Sequence, residues 1–249
     1  MASEDYTTIV LITGANGGIG FETAKKLGAE HSDYHIIVSG RRKDAVDEAV
    51  TRLQASGGSF EGILLDVTSD ESIAQAAQTV QEKHGRLDVL VNNAGVAPSE
   101  GERPRQLLKD IFDINVFGVV QVTNTFLPLL EKSQVTKRIV VITSGFGSFG
   151  ETLGKGRDEC HWPIYSVFAA YSASKAALNM MIVHYAIRFE KDPTWKVNLC
   201  CPGFCATNLT GYPGGEDPAN GAINACRLAT LGPEGETTTF TNRHGPLPF

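Results

Sequence analysis

The chain has 249 residues, 42% hydrophobic and 20% charged, with a formal net charge of −6. That length can bury a substantial core, and that balance excludes a disordered chain. An acidic chain without a basic block argues against nucleic acid or an anionic membrane surface as partner.

Taken in order, "YTTIVLITG" (6–14) is a β-branched run closed by glycine and reads as a strand. Residues 19–30 follow with helical spacing, "YHIIVSG" (34–40) is a second strand, and 44–56 is an amphipathic helix stopped by Gly57-Gly58. "FEGILLDV" (60–67) is a strand, and 70–85 is a helix with an acidic start and a glycine stop. "LDVLVNNAG" (87–95) is a short buried strand, 104–132 one long helix, and "RIVVITSG" (138–145) another strand. A helix over 168–190, a strand over 195–203, a helix near 217–230 and a tail strand at 237–241 complete the series. Strands alternating with helices predict an α/β fold: one Rossmann-type, doubly wound parallel sheet of about seven strands, in a single domain over 1–249. Only 146–167 lacks clear periodicity. No apolar run approaches a membrane span, and the opening "MASEDYTTIV" has no signal core, so a cytoplasmic protein is expected.

The five cysteines are odd in number and form no C-x-x-C, which favours free thiols in a reducing compartment over disulfides or zinc. The six histidines show no metal-ligand spacing, and no metal is expected.

In such a sheet ligands sit beyond the carboxyl ends of the strands. The first strand runs through "TGANGGIG" (13–20) into a helix, where glycines permit close approach to a pyrophosphate and the helix start offers unpaired N–H groups. The spacing fits both T-G-x-x-x-G-I-G and G-x-x-G-x-x-G. The second strand ends in "SGRRKD": Gly40 stands where an NAD-binding fold presents an acid, and Arg41, Arg42 and Lys43 follow. A guanidinium grips a 2′-phosphate that a carboxylate would repel, so NADP(H) is expected, with Arg41 as its main contact.

"FAAYSASKAALNMM" (168–181) places Tyr171 and Lys175 one helical turn apart with only small residues between them. Alone, this pair is an ordinary helix face as readily as a catalytic device. Together with "TGANGGIG" (13–20), "LDV" (65–67), "NNAG" (92–95), "NVFG" (115–118), "SGFG" (144–147), "YSASK" (171–175) and "PGFCAT" (202–207), it resembles the short-chain dehydrogenase/reductase family over nearly the whole chain. The resemblance resolves the glycine spacing in favour of T-G-x-x-x-G-I-G.

The resemblance implies that Gly14, Asn16, Gly18, Ile19, Gly20, Arg41, Asp66, Val67, Asn93, Tyr171, Lys175, Pro202, Gly203 and Thr207 hold the cofactor. Tyr171 would exchange a proton with the substrate oxygen, Ser144 would hydrogen-bond the developing alkoxide, Lys175 and the positive nicotinamide ring would both lower the tyrosine pKa, and Lys175 would hold the ribose. Asn115 would bend its helix locally and anchor a water that relays protons to Lys175. An NADPH-dependent ketone or aldehyde reductase follows. The same residues would serve a dehydrogenase running the other way, whereas a sensor that had lost the chemistry would show a broken set.

Ser144 and Tyr171 stand 27 residues apart, a longer separation than most relatives of this size have. That insertion resembles the carbonyl reductase branch and makes a monomer plausible beside a homodimer. Phe146, Phe149, Trp162 and Tyr165 become candidate walls for a bulky or aromatic carbonyl substrate, with Tyr212 on a second loop. A passive surface loop stapled by those aromatics remains the alternative.

Overall fold

A computed structural model of the chain describes residues 6–97, 104–155, 167–209, 211 and 214–249. Its strands are β1 (Thr8–Ile12), β2 (Tyr34–Gly40), β3 (Ser59–Leu64), β4 (Val89–Asn92), β5 (Lys137–Ile142), β6 (Trp195–Cys200), β7 (Phe240–Asn242) and β8 (Gly245–Pro246). Its helices are α1 (Gly18–Glu30), α2 (Lys43–Gln54), α3 (Asp70–His84), α4 (Pro104–Phe112), α5 (Val119–Leu130), α6 (Phe149–Lys155), α7 (Val167–Phe189) and α8 (Pro218–Ala229).

The strands form one sheet in the order β3-β2-β1-β4-β5-β6-β7-β8, parallel as far as β7. Alternation along each strand sends side chains to two cores. Leu11, Ile37, Leu90 and Val141 pack with α3, α5 and α7, while Val10, Ile36, Val91 and Val140 pack with α1, α2 and α8. Order reverses between β1 and β4, so the loops leaving those strands open a crevice at the carboxyl edge.

Three features differ from the sequence expectation. The sheet has eight strands: after β7 the chain turns on Asn242, whose Oδ1 accepts from the amides of His244 (2.7 Å) and Gly245 (3.1 Å), and β8 pairs antiparallel. The helix expected over 104–132 is interrupted by a π-helical segment, Asp113–Gly118, between α4 and α5. Within the segment read as aperiodic, α6 forms because Ser148 caps it, its Oγ accepting from the Glu151 amide at 3.0 Å. The tail docks on α6, with the Ser148 hydroxyl donating to the Pro248 carbonyl at 2.6 Å.

Candidate active site

The loops after β1 and β4 are stitched together at the crevice. The Thr13 hydroxyl accepts from the amides of Asn93 (2.9 Å) and Ala94 (3.0 Å), and Asn93 Nδ2 donates to the carbonyls of Thr13 and Gly14. Gly14 sits at φ +61, and a Cβ there would lie 3.0 Å from Ala94 Cα, so the close crossing needs glycine. A Cβ on Gly20 would lie 2.4 Å from Asn93 Nδ2. Asn93, expected to hold the cofactor, therefore braces the glycine turn through its side-chain amide.

Helix α1 follows Gly17, which holds its N-cap position and offers no side-chain cap, and a Cβ on Gly17 would meet nothing within 4 Å. Its first-turn N–H groups thus face an uncrowded approach, as a pyrophosphate requires. Gly18, at φ +56, comes within 3.3 Å of Thr207 when given a Cβ, which brings the loop after β6 beside the glycine turn. Pro202 and Gly203 lie on that loop, and Gly203 takes φ +82.

At the end of β2, a Cβ on Gly40 would lie 2.8 Å from Asn16 Oδ1 and 3.1 Å from Val46. The place an acidic side chain would start from is already filled. Arg41 and Arg42 are exposed, and neither pairs with a carboxylate among the described residues, while Lys43 is paired with Asp47. Asp66 Oδ1 accepts from the amide and hydroxyl of Thr68, which shapes the turn after β3. Val67 packs against Gly118, where a Cβ would lie 2.6 Å from the Val67 carbonyl.

Helix α7 turns Tyr171, Ser174, Lys175, Leu178, Asn179 and Ile182 inward at helical spacing, and all six are buried. Lys175 Nζ donates to the Ile142 carbonyl at the end of β5 (3.0 Å) and stands 5.7 Å from the Tyr171 ring centre. Asn179 Oδ1 accepts from the Thr143 hydroxyl (2.6 Å), and its Nδ2 donates to the Gly147 carbonyl (3.2 Å). Between these bonds, a Cβ on Gly147 would lie 2.7 Å from the Lys175 carbonyl carbon. The turn carrying Ser144 is thereby pressed onto α7. Ser144 Oγ accepts from the Phe146 amide at 3.2 Å, and the same hydroxyl lies close enough to the Tyr171 phenol to lower its pKa.

Burial, and not the lysine, dominates the ionisation of Tyr171. Its pKa is pushed up to about 12 by desolvation, with the Ser144 hydroxyl pulling the other way. Lys175 is pushed down to about 8 by the same burial. In the chain alone both groups move toward their neutral forms, so any lowering of the phenol pKa by the ammonium and the nicotinamide ring would have to overcome this burial. Cys201, which no sequence signal singled out, lies beside them, its Sγ accepting from the Gly145 amide at 3.2 Å.

Asn115 lies in the π-helical segment with its amide already bonded. Oδ1 accepts from the Val96 amide (2.8 Å), and Nδ2 donates to the Val96 carbonyl (3.0 Å) and to the Ser174 hydroxyl (3.1 Å). It therefore ties the loop after β4 to α7, and a water relay would have to use its backbone. Phe146 stacks obliquely on Phe168 at 5.7 Å and meets Tyr171 edge-on at 6.4 Å. Phe149 is exposed on α6. Trp162, Tyr165 and Tyr212 lie outside the described residues.

Residues 8–156 match the model of the short chain dehydrogenase family. A short-chain dehydrogenase of Penicillium roqueforti, anuI, is 40% identical over 228 residues, covering 90% of this chain and 89% of that protein. Salutaridine reductase from Papaver somniferum superposes with a TM-score of 0.77 at 27% identity, covering 94% of this chain and 99% of that one. An actinorhodin polyketide ketoreductase, solved with NADPH, superposes with a TM-score of 0.79 at 26% identity, covering 98% and 97%. The chain belongs to the short-chain dehydrogenase/reductase family. No helix among the described residues is long and apolar enough to cross a membrane.

Proposed function

We propose that this chain is an NADPH-dependent reductase of a bulky or aromatic ketone or aldehyde. The observation that carries the reading is the convergence of Ser144, Tyr171 and Lys175 beside an uncapped, glycine-lined helix start. Bound NADPH would supply the hydride. Tyr171 gives its phenolic proton to the carbonyl oxygen, and Ser144 hydrogen-bonds that oxygen as charge develops. Lys175 is held by the Ile142 carbonyl and lies within reach of ribose hydroxyls. Asn115 positions α7 through Ser174.

Preference for the phosphorylated cofactor is supported by the filled space at Gly40 and by the exposed guanidinium groups of Arg41 and Arg42. It is also supported by the ketoreductase solved with NADPH. The substrate class is supported by the aromatic surface of Phe146 and Phe168 beside Tyr171, and by Phe204, exposed on the loop after β6. It fits relatives whose names specify reduction of salutaridine and of a polyketide ketone.

The test follows NADPH oxidation over quinones, aryl ketones and diketones, with NADH in parallel. Once a substrate turns over, Tyr171→Phe lowers kcat by about 10²–10⁴-fold. NADPH affinity, read by fluorescence titration, stays within a few-fold of wild type. Turnover near wild type in Tyr171→Phe would exclude the proton transfer assigned here.

A further inference from the structure

His35, Glu61 and His84 stand 23 or more residues apart along the chain and show no motif spacing, yet the fold brings them together. In the β2–β3 register His35 pairs with Ser59 and Ile37 with Glu61, so all three polar side chains leave the same face of the sheet. That is the face α3 covers, and His84 is the last residue of α3. The cluster lies toward the amino ends of β2 and β3, at the edge of the sheet opposite the catalytic groups.

Glu61 Oε1 receives both imidazoles: His84 Nε2 lies 2.6 Å from it and His35 Nε2 3.6 Å. The second separation is too long for a hydrogen bond, and His35 Nε2 is buried with no hydrogen-bond partner among the described residues. The other His35 nitrogen, Nδ1, is 2.7 Å from the Ser59 hydroxyl. A proton on Nδ1 donated to Ser59 would leave the Nε2 lone pair free to ligate a cation seated between it and the carboxylate. The second carboxylate oxygen, Oε2, accepts from Lys83 Nζ at 2.9 Å.

We propose that His35, Glu61 and His84 bind one divalent transition-metal ion, Zn²⁺ foremost, as a clamp between β2, β3 and α3. The three donor atoms lie within 4.8 Å of one another. Two imidazoles and one carboxylate are a zinc donor set, and Mg²⁺ or Ca²⁺ would demand oxygen ligands. Tetrahedral zinc with bonds of about 2.0–2.1 Å separates neighbouring ligand atoms by about 3.3 Å. The 3.6 Å pair is already near that spacing, and the 2.6 Å pair has to open by a fraction of an ångström. Ser59 on Nδ1 and Lys83 on Oε2 are the outer hydrogen bonds that orient such ligands. The three side chains retain 19%, 21% and 16% exposure, which gives an ion an entry path and leaves a water in the fourth position.

The experiment uses the full chain stripped with a chelator and titrated calorimetrically with ZnCl₂ and, separately, MgCl₂, alongside thermal unfolding. One zinc per chain is expected, with no saturable response to magnesium. At a hundredfold excess over Kd, zinc raises the thermal midpoint by roughly 5–10 °C. His84→Gln lowers zinc affinity by more than tenfold. Ser59→Ala keeps every ligand and lowers affinity by about 10–100-fold, which tests the site even if the histidine variant fails to fold. Absence of one-to-one zinc binding overturns the proposal. So does undiminished affinity in either variant, which would direct the zinc to the buried thiols.

Discussion

Replacing Lys175 with methionine should stabilise the cofactor-free chain while removing its activity. Lys175 is buried, its pKa is pushed down to about 8 from 10.5, and that displacement corresponds to ~3 kcal/mol against the charged form at neutral pH. Methionine keeps much of the aliphatic stem and removes the ammonium. It also removes the bond to the Ile142 carbonyl, at a cost of about 1 kcal/mol. The net gain is ~2 kcal/mol at pH 7, or about 4–8 °C in Tm for a chain of this size. Below pH 8 lysine is protonated in both folded and unfolded states, so the burial cost is fully present and the gain is constant. Between pH 8 and 10.5 the unfolded chain holds a proton that the native state has released, so wild-type stability climbs with pH. The variant lacks that climb, and its advantage shrinks over the same window. Urea unfolding of both proteins at pH 7, 8, 9 and 10 measures this, and titrating groups not coupled to Lys175 cancel in the difference; Cys201, which is coupled to it, is replaced by alanine in both proteins. A Lys175→Met protein less stable than wild type at pH 7, or an advantage that does not change with pH, would refute the reasoning.

Two further substitutions test the frame around this pair. Arg41→Glu should raise the KM for NADPH by at least tenfold while leaving that for NADH within a few-fold, since a phosphate contact is worth about 1.5–3 kcal/mol. Equal effects on both cofactors would remove Arg41 from phosphate recognition. Gly147→Ala drives a methyl group to 2.7 Å from the Lys175 carbonyl carbon and 2.9 Å from its oxygen, where only backbone can yield. It should cost about 1–3 kcal/mol in urea unfolding, and kcat should fall because Ser144 moves away from Tyr171. Unchanged kcat would mean that the turn carrying Ser144 is not positioned by α7.

The parallel strands were legible because each is a short β-branched run closed by a turn, as "YHIIVSG" shows for β2. Asn115 was legible as a residue at odds with a helix interior, and it does lie in a π-helical segment. What its amide bonds to was not legible, because Val96 and Ser174 come from elements distant in sequence. Helix α6 carried a readable signal, Ser148 followed three residues later by Glu151, but it is only seven residues long and shows no repeating period. β8 is two residues with a proline and leaves no strand pattern. The convergence of His35 with His84 and the place of Cys201 depend on strand register and helix docking, which no local pattern encodes.

Burial sets the protonation of the Tyr171–Lys175 pair in the cofactor-free chain. Spacing shows that Lys175 is one turn from Tyr171, but it does not show that both are buried. Buried together, the phenol is pushed up to about 12 and the ammonium down to about 8. A phenol titrating there is protonated at every pH near neutrality, which is the form a proton donor needs. In the cofactor-free chain, raising the pKa from 10.0 to about 12 cuts the phenolate population roughly a hundredfold. The same burial weakens the donor, because a higher pKa reduces the drive to release the proton. The nearby Ser144 hydroxyl offsets part of that by drawing the Tyr171 pKa down. In the cofactor-free chain Tyr171 therefore rests as the protonated phenol, the state from which proton transfer to a carbonyl oxygen begins.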